Sequence, residues 1–249
     1  MAMLRLSPKF CALLAGTLLL IVPRSAHAET PGEMLVPRAG VTFTRRTVGT
    51  VTRTNQAEAR FEQIRQINVV SSDGWTALVH LTPVTESSSA ADTATTMVDS
   101  PDNTVSYFAF LAVGTSFQMT LPGNKNNERT ALFRTTLDCG KAALRSFLPI
   151  GRVRSITTRC VNTTAQDGVS RPPEPVLLTL IYEGRRELSV AAGRFRVREV
   201  RVTREGGVSR TDELISIDDE TGVIVKSETK QFGQNFETRT TGELIALTR

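Results

Sequence analysis

The sequence predicts an all-β, mostly antiparallel protein, and two observations carry this prediction. Short segments rich in Val, Ile, Thr and aromatic residues alternate between apolar and polar positions, and clusters of Gly, Pro, Ser and Asp separate them. The best helical candidate is a single short segment, Lys141–Leu148. About ten strand segments can be counted in this way. We therefore predict a strongly curved sheet, or a partly closed barrel or sandwich, with one short helix.

Residues 1–28 are predicted to be a secretory signal peptide. Two basic residues precede an apolar run from Phe10 to Val22, and an A-H-A pattern ends at Ala28, directly before Glu29. We expect cleavage between Ala28 and Glu29, and hence a periplasmic or secreted protein. The apolar run is short for a membrane span, and no later segment is a better candidate, so no transmembrane span is expected in the mature chain.

The net charge of the mature chain argues against a nucleic-acid partner. The full sequence has 30 basic and 25 acidic residues, a formal net charge of +5. Cleavage would remove Arg5, Lys9 and Arg24 but no acid, which leaves 27 bases against 25 acids. Such a nearly balanced surface is not typical of nucleic-acid binding, which needs a strong basic excess.

Residues 29–249 are predicted to form one β-rich domain. Residues 85–104 consist mostly of Ser, Thr, Ala and Asp, and indicate a flexible loop that would separate an N-terminal from a C-terminal lobe if the domain is divided. Before this segment we expect a strand from Val41, a long strand over 57–70, where the spacing of apolar residues over 57–66 also fits a helix, and a strand over Trp75–Val84. After it we expect strands over Val105–Val113, Thr115–Leu121, Ala131–Leu137 and Val153–Val161, and a loop over Asn162–Pro175. Strands over Val176–Tyr182 and Glu187–Val190 are then expected to flank a turn at Glu183-Gly184.

The two cysteines of the mature chain are predicted to form a disulfide. Cys11 leaves with the signal peptide, so Cys139 and Cys160 remain as an even pair in an oxidising compartment. The bond would pin the predicted helix to the following strand and contribute about 3 kcal/mol. A metal site would need further His or Cys residues nearby, and a redox dithiol would usually be a C-x-x-C.

The C-terminal third predicts a three-strand meander. Gly206-Gly207 favours a two-residue hairpin turn, which would place Val202 opposite Thr211. The apolar alternation slips by one residue in the first strand, so we predict a β-bulge beside Glu199. One buried face would then carry six apolar residues, with Glu213 at its open margin, bonded to Ser227: Phe195, Val197, Ile215, Ile217, Val223 and Val225.

Two segments resemble a large family of exported bacterial β-rich proteins of unknown function. Residues 190–197, V-A-A-G-R-F-R-V, precede the hairpin and the segment T-G-V-I-V-K over 221–226, an ending similar to that of the family. Residues 111–117, L-A-V-G-T-S-F, resemble a mid-chain motif of the same family. The resemblance covers structural positions in about the last 140 residues, and implies a β-sheet scaffold without indicating a catalytic residue. More distantly, such scaffolds resemble the half-barrels of lipoprotein carriers.

The sequence offers no established catalytic motif, and we expect no catalytic residue, metal or cofactor. His80 is the single histidine of the mature chain and has no nucleophile motif beside it. Glu199 and Glu213 are the nearest approach to an acid–base pair, if they meet across the predicted bulge. The acidic turn over 218–220 lacks the alternating ligand spacing of a calcium loop.

Two groups of residues are candidates for binding. Given the bulge, one strand would present an outward row of arginines suited to an anionic partner such as lipid headgroups or a cell-wall polymer: Arg194, Arg196, Arg198 and Arg201. Trp75 and the aromatics over 107–110 would line an apolar groove or fill the core. A solvated strand face and a plain core are the simpler interpretations.

These observations favour a non-catalytic exported envelope protein, a binding or assembly module, with an apolar ligand inside the curved sheet as one option. One alternative is an envelope hydrolase that works with carboxylates, so enzymatic activity stays open. A further alternative is a purely structural partner of other envelope proteins. An internal apolar cavity would favour the ligand-binding module, and two converging carboxylates would favour the hydrolase. An exposed apolar patch would favour the structural partner.

Overall fold

The computed structural model describes residues 36–88, 96–121, 129–148 and 150–248. The predicted signal peptide and its cleavage site between Ala28 and Glu29 lie outside these residues. The strands are β1 (Thr42–Arg53), β2 (Ala59–Ser72), β3 (Thr76–Ser88), β4 (Thr96–Met97), β5 (Thr104–Phe108), β6 (Leu111–Leu121), β7 (Arg129–Asp138), β8 (Ser155–Gln166), β9 (Val169–Ser170), β10 (Glu174–Val190), β11 (Gly193–Gly206), β12 (Ser209–Asp218), β13 (Ile224–Phe232) and β14 (Phe236–Thr248), and the helix is α1 (Lys141–Ser146).

Twelve of the described strands form a closed antiparallel barrel. The ring runs from β10 through β14 to β1, β2, β3, β5, β6, β7 and β8, and closes because β10 pairs with both β8 and β11. The two-residue strands β4 and β9 pair with β6 and β8 outside this ring. The predicted all-β, mostly antiparallel fold with one short helix is confirmed, with more strands than the ten expected.

Two apolar clusters fill the described core. The first joins β8, β10, β11 and β12 to α1 and to the turn at Ala109 and Phe110. The second joins β1, β2, β3, β5 and β13, together with the beginning of β11. Strand β11 contributes to both, with Phe195 and Val197 in the second cluster and Val200 and Val202 in the first. Because successive residues of a strand point to opposite faces, β11 changes the face that it buries along its length.

Strand β11 makes this change without the bulge predicted beside Glu199. Its pairing with β12 is regular from Val197 to Gly206, and Val202 lies opposite Glu213 rather than Thr211. Gly207 and Val208 are the turn residues, one position later than predicted. The irregularities lie in the neighbouring strands instead, at Glu183 in β10 and at Val225 in β13.

The six apolar residues predicted for one buried face are all buried, but they belong to both clusters. Ile215 and Ile217 lie in the first cluster with Val200 and Val202. The second cluster contains the other four, which are Phe195, Val197, Val223 and Val225. The slip in apolar alternation therefore marks a strand buried on one face near its start and on the other near its end.

The segment after β9 also differs from the sequence prediction. A turn was expected at Glu183-Gly184, but β10 runs through it as one strand of 17 residues. The extra residue Glu183 is accommodated as a bulge opposite Glu199 and Val200. Gly184 has a φ of 134°, which a residue with a side chain rarely adopts. A polar bend within a strand and a hairpin turn thus have the same local composition.

Residues 85–104 were predicted to be a flexible loop that could divide the domain into two lobes. Strand β3 continues to Ser88 and β4 occupies Thr96–Met97, so part of this segment is strand. Residues 89–95 lie outside the described ranges. Whether residues 29–249 form one lobe or two stays a prediction.

The helix lies where the sequence places it, and the cysteines flank it. Cys139 precedes α1, Cys160 lies in β8, and the structure joins them by a disulfide with Cα atoms 4.0 Å apart. Leu144 and Phe147 are buried in the first cluster together with both cysteines. A helix of six residues is too short to be stable alone. The disulfide and the packing of its apolar side chains therefore hold α1 in place.

Reduction of the disulfide is expected to lower the free energy of unfolding by about 3 kcal/mol, because it releases the loop between residues 139 and 160 in the unfolded chain. Urea unfolding with and without dithiothreitol measures this change. Cys139→Ala/Cys160→Ala, which has no thiols to reduce, should be insensitive to the reductant. Equal unfolding midpoints for the oxidised and reduced wild-type protein would contradict the prediction.

Candidate functional site: a mixed-charge groove

A large cavity lies against the sheet formed by β10–β14 and β1–β3. It has a volume of about 1300 Å³ and is open to solvent. We call it the mixed-charge groove. Its charged lining residues are Arg60, Glu62, Arg201, Arg210, Asp212, Glu228, Lys230 and Arg239. Its other lining residues are five threonines, Gly49, Ser87 and four apolar residues, which are Val48, Phe61, Ile181 and Leu214.

The groove lies on the sheet face opposite the first apolar cluster. On β11, Val200 and Val202 point into that cluster, whereas the alternate residues Arg201 and Thr203 line the groove. Leu214 lines the groove next to the buried Ile215 on β12. The same alternation that builds the core therefore presents polar side chains outside it.

Most charged residues of the groove are paired along their own strands. The Arg210 Nε atom lies 3.0 Å from Asp212 Oδ2, and Arg239 Nε lies 2.6 Å from Glu237 Oε1. Lys226 Nζ lies 2.7 Å from Glu228 Oε1. Residues two apart in a strand share a face, so each pair holds its charges on the groove side.

These pairs keep two groove carboxylates ionised. The hydrogen bond from Arg210 lowers the pKa of Asp212, and Thr203 also donates to this carboxylate at 3.0 Å. The hydrogen bond from Lys226 lowers the pKa of Glu228. Both side chains thus remain anionic to lower pH than usual, and neither is suited to donate a proton near neutral pH.

The four arginines predicted as one outward row do not form one. Arg198 is fully buried, whereas Arg194 and Arg196 are largely exposed. Arg201 lies on the opposite face of β11 and pairs with Glu183 at 2.7 Å. Of the four, Arg201 alone lines the groove. The prediction was wrong because it relied on a bulge beside Glu199. Such a bulge would have placed Arg201 on the same face of β11 as the other three arginines.

Arg198 and two neighbouring arginines meet at one carboxylate. Asp219 lies in the turn after β12, and its Oδ1 atom is 2.7 Å from Arg198 Nε. Its Oδ2 atom is 3.4 Å from Arg185 Nε and 3.3 Å from Arg196 Nε. Burial lowers the pKa of Arg198, and the charge of Asp219 opposes that shift. Asp219 thus ties β10 and β11 to the turn beyond β12, which is a structural role.

Glu199 and Glu213 do not converge. Glu199 accepts a hydrogen bond from Ser216 Oγ at 3.1 Å and pairs with Arg186 at 2.6 Å. Glu213 lies on the other face of the sheet, opposite Val202, and pairs with Arg204 at 3.5 Å. These two carboxylates therefore cannot act together as an acid–base pair.

The surroundings of Glu213 also differ from those predicted. Ser227 accepts a hydrogen bond from Arg45, where a bond to Glu213 was expected. Desolvation by burial lowers the pKa of Arg45, and the nearby Tyr107 and Glu213 oppose that shift. A cation does face Glu213, because β1 brings Arg45 to this face from a distant part of the chain.

Trp75 and His80 lie away from the groove. Trp75 is partly exposed and packs between Phe108, at a ring distance of 6.4 Å, and the guanidinium of Arg145, at 5.6 Å. His80 Nε2 lies 2.9 Å from the carbonyl oxygen of Ser100, beside a surface cavity of about 540 Å³. Neither contact places a nucleophile next to these rings, so the structure gives no reason to assign them a reaction.

The sequence contains a charge pattern that is associated with the groove, and the strand predictions did not use it. Opposite charges stand two residues apart at four places, three of them within a strand and one at the start of β2: Arg210 and Asp212, Lys226 and Glu228, Glu237 and Arg239, and Glu58 and Arg60. Such spacing places both charges on one strand face. That the four faces join in one concavity could be learned only from the strand order and register.

In the described ranges no group of three or more His, Cys, Asp and Glu side chains is arranged to hold a metal ion. Among the same residues there is no helix long and apolar enough to cross a membrane.

No family model and no curated protein sequence matches this chain. The hypothetical lipoprotein YmcC of Escherichia coli is 12% identical, with a TM-score of 0.38 over 85% of this chain and 89% of that one. An inferred exported protein of Bacteroides fragilis with a YmcC-like fold is 10% identical, with a TM-score of 0.35 over 86% of this chain and 98% of that one.

An inferred lipoprotein of Parabacteroides distasonis is also 10% identical, with a TM-score of 0.40 over 87% of this chain and 99% of that one. The family resemblance of the C-terminal motif stays a prediction.

Proposed function

We propose that this chain is an exported, non-catalytic binding module and that its ligand occupies the mixed-charge groove. The observation that carries the proposal is the groove itself, an open concavity of about 1300 Å³ lined by charged side chains and threonine hydroxyls. Binding sites are typically concave, with a few apolar contacts and polar groups that fix orientation. Leu214, Ile181 and Phe61 provide such apolar contacts here.

The preformed ion pairs support binding more than catalysis. General acid catalysis by a carboxyl group requires a pKa raised toward the working pH. Asp212 and Glu228 have lowered pKa values, because Arg210 and Lys226 hydrogen-bond to them. Fixed, paired charges are instead suited to orient a polar ligand with little loss of side-chain entropy. The carboxylate-hydrolase alternative therefore has less support from this site.

An apolar ligand inside the sheet also has less support than a polar ligand on the groove face. Within the described residues, the cavities against the two apolar clusters measure about 20 Å³ and about 10 Å³. A space of this size accommodates about one water molecule and no lipid chain. The helix α1 and the turn at Ala109 and Phe110 pack with β8, β10, β11 and β12 in the first cluster.

Filling the groove tests the proposal. Leu214→Trp places a large side chain in the groove, and we expect it to abolish ligand binding without unfolding the protein, because the groove is open to solvent. The full chain, exported in a Gram-negative host, is incubated with fractionated envelope polysaccharides, lipids and peptidoglycan fragments. Native mass spectrometry then measures the bound mass.

The matched control is Val208→Trp, at an exposed turn residue outside the groove lining. We expect wild type and Val208→Trp to bind the same polar component and Leu214→Trp to bind none. Equal binding by all three proteins would overturn the groove as the site. Binding of lipid alone, unaffected by Leu214→Trp, would favour the apolar-ligand alternative.

A further inference from the structure

One cross-strand row of the groove concentrates positive charge. Lys230 on β13 lies opposite Arg239 on β14, and Arg239 lies opposite Thr50 on β1. Thr50 in turn lies opposite Arg60 on β2. All four residues line the groove. We call Arg60, Arg239 and Lys230 the basic row. It spans four adjacent strands, or about 14 Å at the usual spacing of about 4.8 Å between neighbouring strands.

Lys230 and Arg239 repel each other, because like charges directly opposite each other on neighbouring strands are unfavourable. Asp212 lies opposite Lys230 on its other side. However, Arg210 contacts both oxygens of Asp212, at 3.0 and 3.2 Å, and Thr203 donates to one of them at 3.0 Å. Lys230 makes no ion pair within 4 Å among the described residues.

Two of the three bases in the row have an acidic partner of their own. Glu237 pairs with Arg239 along β14 at 2.6 Å, and Glu58, just before β2, pairs with Arg60 at 3.4 Å. Glu228 is held by Lys226 at 2.7 Å, although Lys230 also helps to lower its pKa. Arg60 and Arg239 thus each share their charge with one carboxylate, and Lys230 supplies the positive charge that no ion pair among the described residues offsets.

We propose that the groove ligand is an elongated anion with repeated phosphate or carboxylate groups, and that the basic row binds these groups. This inference rests on the proposed function, since it names the ligand class of the same site. An anionic group between Lys230 and Arg239 would remove the repulsion between them, and charge-assisted hydrogen bonds to such groups are strong. A second anionic group would reach Arg60, with the hydroxyl of Thr50 between the two.

Calorimetry with three probes of three repeating units each tests this inference. Tripolyphosphate carries phosphate groups, trigalacturonate carries carboxylates, and maltotriose is neutral. Wild type should bind at least one of the two anions more tightly than maltotriose, and raised salt should weaken that binding. The double variant Lys230→Gln/Arg239→Gln should lose at least about tenfold in affinity for that anion, because it removes two charge-assisted contacts.

The matched control, Arg171→Gln/Arg194→Gln, removes the same charge at exposed positions outside the groove. It should bind as wild type does. Thermal unfolding provides a second measurement, since Lys230→Gln relieves a repulsion and should leave the melting temperature unchanged or raised. Binding of tripolyphosphate alone would identify phosphate as the recognised group, and binding of trigalacturonate alone would identify carboxylate.

Equal affinities of the two double variants for the anion, or no preference of wild type for either anion over maltotriose, would overturn the inference. The proposed function fails separately. If Leu214→Trp abolishes binding of a neutral ligand that Lys230→Gln/Arg239→Gln still binds, the groove is the site and the anionic specificity is wrong. If Leu214→Trp leaves all binding unchanged, the groove itself is not the site.

Discussion

Asp219→Ala is expected to lower the free energy of unfolding by about 3–5 kcal/mol, the usual cost of leaving one partner of a buried ion pair uncompensated. Arg198 is fully buried, and Asp219 also contacts Arg185 and Arg196. Removal of the carboxylate leaves three guanidinium groups without this shared anion, one of them inside the protein. Chemical denaturation of wild type and variant measures the difference.

Two further variants separate the buried charge from the loss of a surface pair. Glu187 forms an exposed pair with Arg194, so Glu187→Ala should cost at most about 1 kcal/mol. Adding Arg198→Met to Asp219→Ala removes the buried charge and should recover part of the lost stability. A cost for Asp219→Ala no larger than that of Glu187→Ala would contradict the structural role of Asp219.

Phe147→Ala is expected to destabilise the protein by about 3–5 kcal/mol through the cavity that it creates. Phe147 follows α1, is fully buried and packs edge-on against Phe110 at a ring distance of 6.2 Å. It links the helix to the turn that joins β5 and β6. Leu148 and Ile150 lie in the same cluster, but neither can collapse into the space left by an aromatic ring without moving the backbone.

Denaturant unfolding checks this prediction, with Phe236→Ala as the control. Phe236 is an exposed aromatic residue at the start of β14, outside the two clusters. Phe236→Ala should change the unfolding free energy much less, because little apolar area is lost from the interior. Similar destabilisation by both substitutions would show that the ring of Phe147 does not support the core as the structure indicates.

The alternation of apolar and polar residues was sufficient to predict the fold class, the short helix and the order of β11, β12 and β13. It was insufficient for the register, because Gly206 and Gly207 permit hairpin turns one residue apart. The structure uses Gly207 and Val208. That one-position difference replaces the predicted pairing of Val202 with Thr211 by a pairing with Glu213 and removes the need for a bulge beside Glu199.

The groove could not be predicted from the sequence for a related reason. Its lining comes from eight strands, and only their order around the barrel brings Arg60 near Lys230. Local patterns report which face of a strand a residue occupies, and they do not report the neighbour across a long connection. Arg198 is a second example. The sequence places it beside arginines that are exposed in the structure, but Arg198 is buried, and its partner Asp219 lies in the turn after β12.

The pairing of β1 with β14 sets the order in which the barrel can form. Strand β1 is made early and pairs on one side with its neighbour β2, but its other edge must wait for β14, which follows almost the whole described chain. Closing so long a loop is entropically slow, so the ring should be completed late in folding. Until then the edge of β1 offers unpaired N–H and C=O groups to any other extended chain. A chaperone that shields this edge during biogenesis would therefore matter more for yield than for the stability of the finished barrel.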